Sequence, residues 1–285
     1  RTDSSAASDV YKRQPSRGGV KQKKKLNLKG SKSIFAFSVC FLVFFISFLF
    51  PVLQMLYWTI IFPKNLLDLN ILQLSLNTIY LVFLSSLVLI IFSFIANYGN
   101  RVTRSKFLNF LTMFSITGYA IPGVILAVAF ITFVAWFDNN IIKYYELSSI
   151  KKIFIGSIIG LVIVYFIRFY SLAYNGLKSG YERINRSIDE SSYLLGYSKI
   201  KTFLGIHVPY LRNSIFLIGI LISIEIIKEL PITLILRPFN FETFATTAYI
   251  YASQDLLEAA AVPSLFLILI ASTFILITSR YILKD

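Results

Sequence analysis

Apolar residues along this chain come in blocks of twenty or more, separated by shorter stretches that hold the charges. A soluble domain of this length would hide one core and show a mixed surface. Blocks of about 20 apolar residues, at 1.5 Å of helix rise each, instead match the thickness of a bilayer. Six such spans are predicted near 34–62, 74–97, 107–137, 153–175, 213–236 and 262–283. The first and third are longer than needed, and Pro51 and the pair Pro122–Gly123 are plausible points for a break. No repeat of 20–50 residues is visible. The pattern predicts an all-α polytopic membrane protein.

One polar stretch between spans has a helical pattern of its own: "SIDESSYLLGYSKIKTFLGIHVPYLRNS", residues 187–214. Ser187 followed three residues later by Glu190 has the form of a capping box. A helix starting there would end at Gly196, which suits the left-handed position just past a helix end. Ser198 can cap a second helix. Ile200, Phe203, Leu204 and His207 then follow at i, i+3, i+4 and i+7, a stripe about one face, and Pro209 stops it. Spacing alone leaves two readings open, an amphipathic loop resting on lipid headgroups or a docking element.

Composition sharpens the membrane reading. Of 285 residues 56% are hydrophobic and 16% aromatic, with a mean hydropathy of +0.70. The net charge is +14, from 28 basic against 14 acidic residues. Arg1, Lys12, Arg13, Arg17, Lys21, Lys23, Lys24, Lys25, Lys29 and Lys32 precede the first span directly, as on a cytoplasmic flank, so no nucleic-acid partner is implied. The loop 98–106 carries Arg101, Arg104 and Lys106. The loop 176–212 carries Lys178, Arg183, Arg186, Lys199, Lys201 and Arg212 against Glu182, Asp189 and Glu190. Residues 237–261 have Arg237 against Glu242, Asp255 and Glu258, while 138–152 is nearly balanced, with Lys143, Lys151 and Lys152 against Asp138 and Glu146. Both termini and the 176–212 loop are therefore expected in the cytoplasm. Cys40 is the only cysteine and His207 the only histidine, too few for a zinc or soft-metal site. No Walker A glycine loop occurs, so ATP hydrolysis by this chain is not expected.

"ESSYLLGYSKIKTFLGIHVP" resembles the EAA loop of binding-protein-dependent ABC importer permeases: Glu-Ala-Ala, three residues, Gly, nine residues, Ile-x-Leu-Pro. Glu190, Gly196, Ile206 and Pro209 stand in register, with Ser191 and Ser192 for the alanines and Val208 for leucine. The resemblance implies six transmembrane helices of the type I ABC importer permease kind, with a cytoplasmic coupling-helix loop at 187–210. Glu190 and Gly196 would be its main coupling residues, docking a cytoplasmic ABC ATPase dimer. The stretches "GYAIPGVILAVAF" (118–130) and "IKELPITLILRPFNFETFATTAYIYASQDLLEAAAVPSL" (227–265) look like the second half of fused iron(III) permeases. That implies a permease domain over 33–285 and iron(III) as substrate, delivered by a periplasmic or lipid-tethered binding protein in a bacterial inner membrane. It also implies a second permease half. Permeases for thiamine or polyamine, and a non-ABC channel or membrane anchor, stand as alternatives. No cofactor is expected on this chain, ATP being used by the partner ATPase. The opening "RTDSSAASDVYKRQ" resembles linker or adaptor read-through, so 1–32 reads as a non-native-looking leader plus a basic linker, and the chain as a fragment lacking its natural N-terminal half.

"SIEIIKELP" places Glu225, Lys228 and Glu229 inside the fifth span and, at this spacing, on one helical face. A charge at a span centre costs about 2.5–3.5 kcal/mol on insertion scales, so these groups need partners. Lys228 can neutralise one carboxylate, and Arg168 in the fourth span is a candidate for the other. Pro231 should bend the helix just beyond the cluster. Two roles fit the cluster: an ion-pair network holding the fourth and fifth spans together, or a place along the cation pathway or its gate.

Overall fold

The 33 residues from Ile71 to Thr103 form one uninterrupted helix. At 1.5 Å per residue it is about 50 Å long, against a hydrocarbon core of about 30 Å. It is longer than one upright crossing needs, and Asn97, Asn100 and Arg101 stand near its C-terminal end. The structure, a computed structural model, describes residues 29–67, 69–103, 105–144 and 154–282. The leader at 1–28 and the charges predicted to orient the spans at Arg104, Glu146, Lys151 and Lys152 lie outside the described residues.

Every element among the described residues is helical. In chain order they are α1 (Ser31–Phe44), α2 (Phe50–Ile61), α3 (Lys64–Leu67), α4 (Ile71–Thr103), α5 (Lys106–Ile116), α6 (Gly123–Tyr144) and α7 (Ile158–Tyr181). After these come α8 (Arg186–Leu194), α9 (Lys199–Thr202), α10 (Val208–Ile227), α11 (Pro231–Leu236), α12 (Phe244–Ser253) and α13 (Leu257–Ile282). Among the described residues six stretches are long and apolar enough to cross a membrane: Ser31–Ile61, Ile71–Thr103, Gly123–Asn140, Ile158–Tyr181, Lys199–Ile227 and Leu257–Tyr281. The chain divides into two units, Arg1–Pro51 and Val52–Asp285. In the first, Phe37 stacks on Phe41 and Phe44 on Phe48, one helical turn apart.

Pro51 and Pro209 act differently from the sequence expectation. Phe45–Leu49 and Phe203–His207 are π turns, immediately ahead of Pro51 and Pro209. The Phe50 N–H reaches back to the Phe45 carbonyl and the Val208 N–H to that of Phe203, five residues away. The carbonyl four residues before each proline, where its ring would clash in an α-helix, thus lies in a widened turn. Neither proline stops its helix: Pro51 is no break, and the loop helix that Pro209 was expected to end continues into the fifth span. The third span does break at the expected place. Between α5 and α6 the chain makes a 3₁₀ turn at Thr117–Ala120, and Ile121 is extended.

Within the second unit α7 is central. Leu161, Val164, Tyr165, Phe169, Ala173, Leu177 and Tyr181 recur at three- and four-residue spacing and are all buried. α7 packs on α4, α10, α5, α11 and the 3₁₀ turn. Gly176 and Gly180, four residues apart, lie against Ile218 and Leu211 of α10, the small-residue spacing that lets membrane helices approach closely. The tightest approach is at Gly118, where a Cβ would run into the backbone oxygen of Ile167. That oxygen belongs to the central helix and has no freedom to give way. Gly118→Ala should cost about 1–3 kcal/mol through overpacking, read as a lower thermal midpoint of the purified protein. Gly205→Ala, with nothing within 4 Å of its Cβ, should change stability by about 0.5 kcal/mol or less.

Candidate functional site

The loop at 187–210 folds as a short helix, α8, joined at a glycine to a second helix that starts as α9 and runs through the π turn into α10. α8 starts two residues earlier than the expected capping box. Asn185 is its N-cap, accepting from the Ser187 N–H at 3.3 Å. Ser187 is thus already inside the helix, and Glu190 is an exposed side chain with no capping role. An asparagine at the preceding turn satisfies the same orphan donors and so takes the cap first. The other end follows the sequence expectation. Gly196 has φ +81°, its N–H donates to Tyr193 O at 3.0 Å, and the Tyr197 N–H donates to Ser192 O at 3.1 Å. This pair of bonds is the Schellman closure. No atom lies within 4 Å of a Cβ at Gly196, so backbone conformation, not space, demands glycine there. Ser198 caps the second helix, accepting from the Lys201 N–H.

The two helices turn polar side chains inward. Ser192 and Thr202 share a buried hydroxyl–hydroxyl bond of 2.7 Å that ties α8 to α9, while Ser191 faces outward. The predicted stripe is divided: His207 is buried and Phe203 packs on the core, but Ile200 and Leu204 are exposed. Leu194, 90% exposed, and Leu195, 78% exposed, face outward as they do. Ile206 is half-buried and Pro209 exposed.

Asp189 is the residue the sequence reading passed over. Its Oδ2 lies 2.7 Å from Arg101 Nε and its Oδ1 2.7 Å from His207 Nε2. Arg101 also donates to the backbone oxygens of Tyr181, Ile184 and Asn185 at 3.0–3.2 Å, in the turn where α7 ends and α8 begins. The His207 ring sits between Tyr98 and Tyr181, with centroids 5.1 and 5.5 Å away. Two opposite charges in neighbouring basic loops, plus the chain's only histidine on an apolar stripe, were the available signal.

The second cluster surrounds the fifth-span charges. The span is not one bent helix: α10 ends at Ile227 with Lys228 as its C-cap, and α11 restarts with Pro231 as its first residue. The break thus falls within the charge cluster rather than beyond it, and Glu229 lies in the gap instead of on a shared helical face. Glu225 pairs with Lys228 at 2.7 Å, and Glu229 lies 3.3 Å from Arg168, the two partnerships the charges require. Glu229 Oε1 accepts from the Ile232 N–H at 3.4 Å, and Arg168 Nη1 donates to Ile121 O at 2.6 Å. The broken ends of the third and fifth spans are therefore satisfied by the two members of one ion pair. Thr233 donates to Glu229 O at 2.6 Å and bonds the Tyr165 hydroxyl. A Cβ on Gly123 would lie 2.7 Å from Glu229 Oε1, so glycine leaves the carboxylate its place. Among the described residues no three His, Cys, Asp or Glu side chains converge as a metal site.

Comparison with known proteins places this architecture. Residues 90–284 match the family described as binding-protein-dependent transport system inner membrane component. The chain is 25% identical over 248 residues to the probable transport system permease protein NifC of Clostridium pasteurianum, covering 82% of each. It is 20% identical over 166 residues to the Fe(3+)-transport system permease protein FbpB 2 of Haemophilus influenzae. That match covers 58% of this chain and spans only 30% of the relative's length. Among solved structures, a bacterial alginate ABC transporter in complex with an alginate-bound periplasmic protein superposes with a TM-score of 0.68 at 14% identity, over 87% of this chain and 93% of that one. A bacterial ABC transporter importing alginate gives 0.67 at 15% identity, over 87% and 94%. The chain belongs to the binding-protein-dependent transport system inner membrane components: it is a multi-pass membrane permease of an ABC importer, not an enzyme.

Proposed function

We propose that this permease forms half of the pathway for iron(III) in a bacterial inner membrane. It takes its substrate from a periplasmic or lipid-tethered binding protein and pairs with a second permease half. Both termini and the 176–212 loop face the cytoplasm, where an ATPase dimer docks on α8 and α9. The ATPase supplies ATP hydrolysis, and this chain holds no cofactor. The observation that carries the docking reading is the loop's inverted polarity. Asp189, Ser192, Thr202 and His207 are buried while Leu194, Leu195, Ile200 and Leu204 face outward around an exposed Glu190. Iron(III) is supported by the Lys228–Pro263 run and by the name of one distant relative. The alginate neighbours share the fold, and a fold does not carry a substrate. A hard cation takes oxygen ligands, and Glu225 and Glu229 lie at the broken span where a pathway or gate with Lys228 and Pro231 would run.

Uptake of radioactive iron(III) into vesicles carrying the complete system should depend on the binding protein and on ATP. Transport of thiamine or a polyamine in place of iron would reject the substrate assignment and leave the importer intact. In the same system Gly196→Val should misplace the second loop helix, since a Cβ at φ +81° costs about 1–2 kcal/mol. Glu190→Lys places the wrong charge on the docking face. Both variants should lose binding-protein-stimulated ATP hydrolysis, and undiminished stimulation in both would return the loop to a passive surface element.

Orientation is tested by cysteine labelling from outside: a cysteine at Lys199 should stay unlabelled and one at Phe239, fully exposed on the opposite loop, should react.

Glu229→Gln keeps shape and hydrogen bonding but removes the charge. If the carboxylate serves the pathway, uptake should fall while expression and ATPase association persist. A variant that no longer folds would identify the Arg168 pair as structural, because one unpaired buried partner costs about 3–5 kcal/mol.

A further inference from the structure

Glu190 and Asp189 are neighbours on a nine-residue helix, and they face opposite ways. Successive residues on an α-helix point about 100° apart, so one carboxylate can look outward while the next looks in. Glu190 is exposed, whereas Asp189 is buried against Arg101 and His207. Through these two side chains four helices meet at one carboxylate. Arg101 brings α4 and, through the carbonyl of Tyr181, the end of α7, and it also takes the carbonyls of Ile184 and Asn185 in the turn that follows. His207 brings the start of the fifth-span helix, with its ring held between Tyr98 of α4 and Tyr181 of α7. The Tyr98 hydroxyl adds a bond to the Lys199 carbonyl at 2.7 Å, so the second loop helix is fastened to α4 as well.

We infer that Asp189, Arg101 and His207 are positioning residues that make α8 move as one body with the membrane helices when the ATPase moves it. The inference rests on the docking reading of the 187–210 loop and adds how the force applied there reaches α4, α7 and α10. The chemistry suits a rigid joint. Each carboxylate oxygen has one partner at 2.7 Å, one of them charged, and charge-assisted bonds of this kind are the strong and directional ones. His207 is fully buried and its Nδ1 has no partner, so donation from Nε2 to Asp189 is the one polar contact that orients the ring. A solvated surface ion pair would break and re-form as its helix moved, and this one is screened from water.

The test uses the transporter assembled with its own ATPase and binding protein in lipid nanodiscs, with Cys40→Ser removing the only native thiol. Spin labels at two exposed positions, Thr103→Cys at the end of α4 and Ser187→Cys in the first turn of α8, report the distance across the joint. In the parent protein this distance should stay the same with and without ATP. In Asp189→Asn and His207→Leu it should change with ATP, as α8 follows the ATPase while α4 does not. His207→Gln, which keeps an N–H donor, should restore the fixed distance. The ATPase subunit should remain bound in all of these variants and be lost in Glu190→Lys. A fixed distance in Asp189→Asn would overturn the joint, as would loss of the ATPase from Asp189→Asn. Should Asp189→Asn fail to fold, the His207→Leu and His207→Gln pair decides by the same criterion. An ATPase that stays bound in Glu190→Lys, with one ATP-independent distance in every variant, would reject the docking reading itself and the joint with it.

Discussion

A helix that breaks within a hydrocarbon layer frees backbone groups that no water can satisfy, so side chains of the protein must take them. This requirement falls on Arg168 and Glu229. The guanidinium takes the Ile121 carbonyl at the break in the third span, and the carboxylate takes the Ile232 N–H where the fifth span restarts. Each polar side chain would itself be too costly to bury alone, and each is made tolerable by the other. The nearby packing follows from this pair. Gly123 is small because Glu229 occupies the space its Cβ would need. Thr233 and Tyr165 complete a polar interior around the Glu229 carbonyl. Two interrupted spans can thereby pack on one continuous helix.

That continuous helix, α7, links the pair to the other end of the molecule. Arg168 and Tyr181 are both on it, about 20 Å apart along its axis at 1.5 Å per residue. Beyond the end of α7 the chain turns into α8, and Arg101 from α4 donates to the carbonyls of Tyr181 and Ile184 in that turn while its Nε holds Asp189. One guanidinium thus ties both the turn and the loop helix to α4. Asp189, Ser192, Thr202 and His207 of the 187–210 loop face inward, and its leucines face out. That polarity is the basis of the docking proposed for the loop.

The spans were legible because a run of twenty apolar residues has few other uses, and the loop was legible because Gly196 needs φ > 0 and sits in register with Glu190, Ile206 and Pro209. The partners of Glu225 and Glu229 could also be named in advance. Charges in an apolar block must be neutralised, and few cations are available there. The misreadings were of another kind. Ser187 looked like a cap because Glu190 follows at the right spacing, yet Asn185, two residues earlier, took that role. Pro209 and Pro51 looked like stops, yet a π turn before each let the helix continue.

Local chemistry and periodicity involve residues a few positions apart, and those the sequence determined by itself: the number of spans, the glycine-closed turn, the break at Pro122–Gly123 and the need for countercharges. Which of two adjacent carboxylates is buried is a different question. It depends on Arg101, 88 positions before Asp189, and on His207, 18 after it, and both are brought there only by the packing of α4 and α10 on α7. The close approach of Gly118 to Ile167 and the meeting of Ile121, Arg168 and Glu229 are of the same sort. Only the tertiary structure decided these, because a buried polar group is satisfied by whatever the fold places beside it, at any distance along the chain.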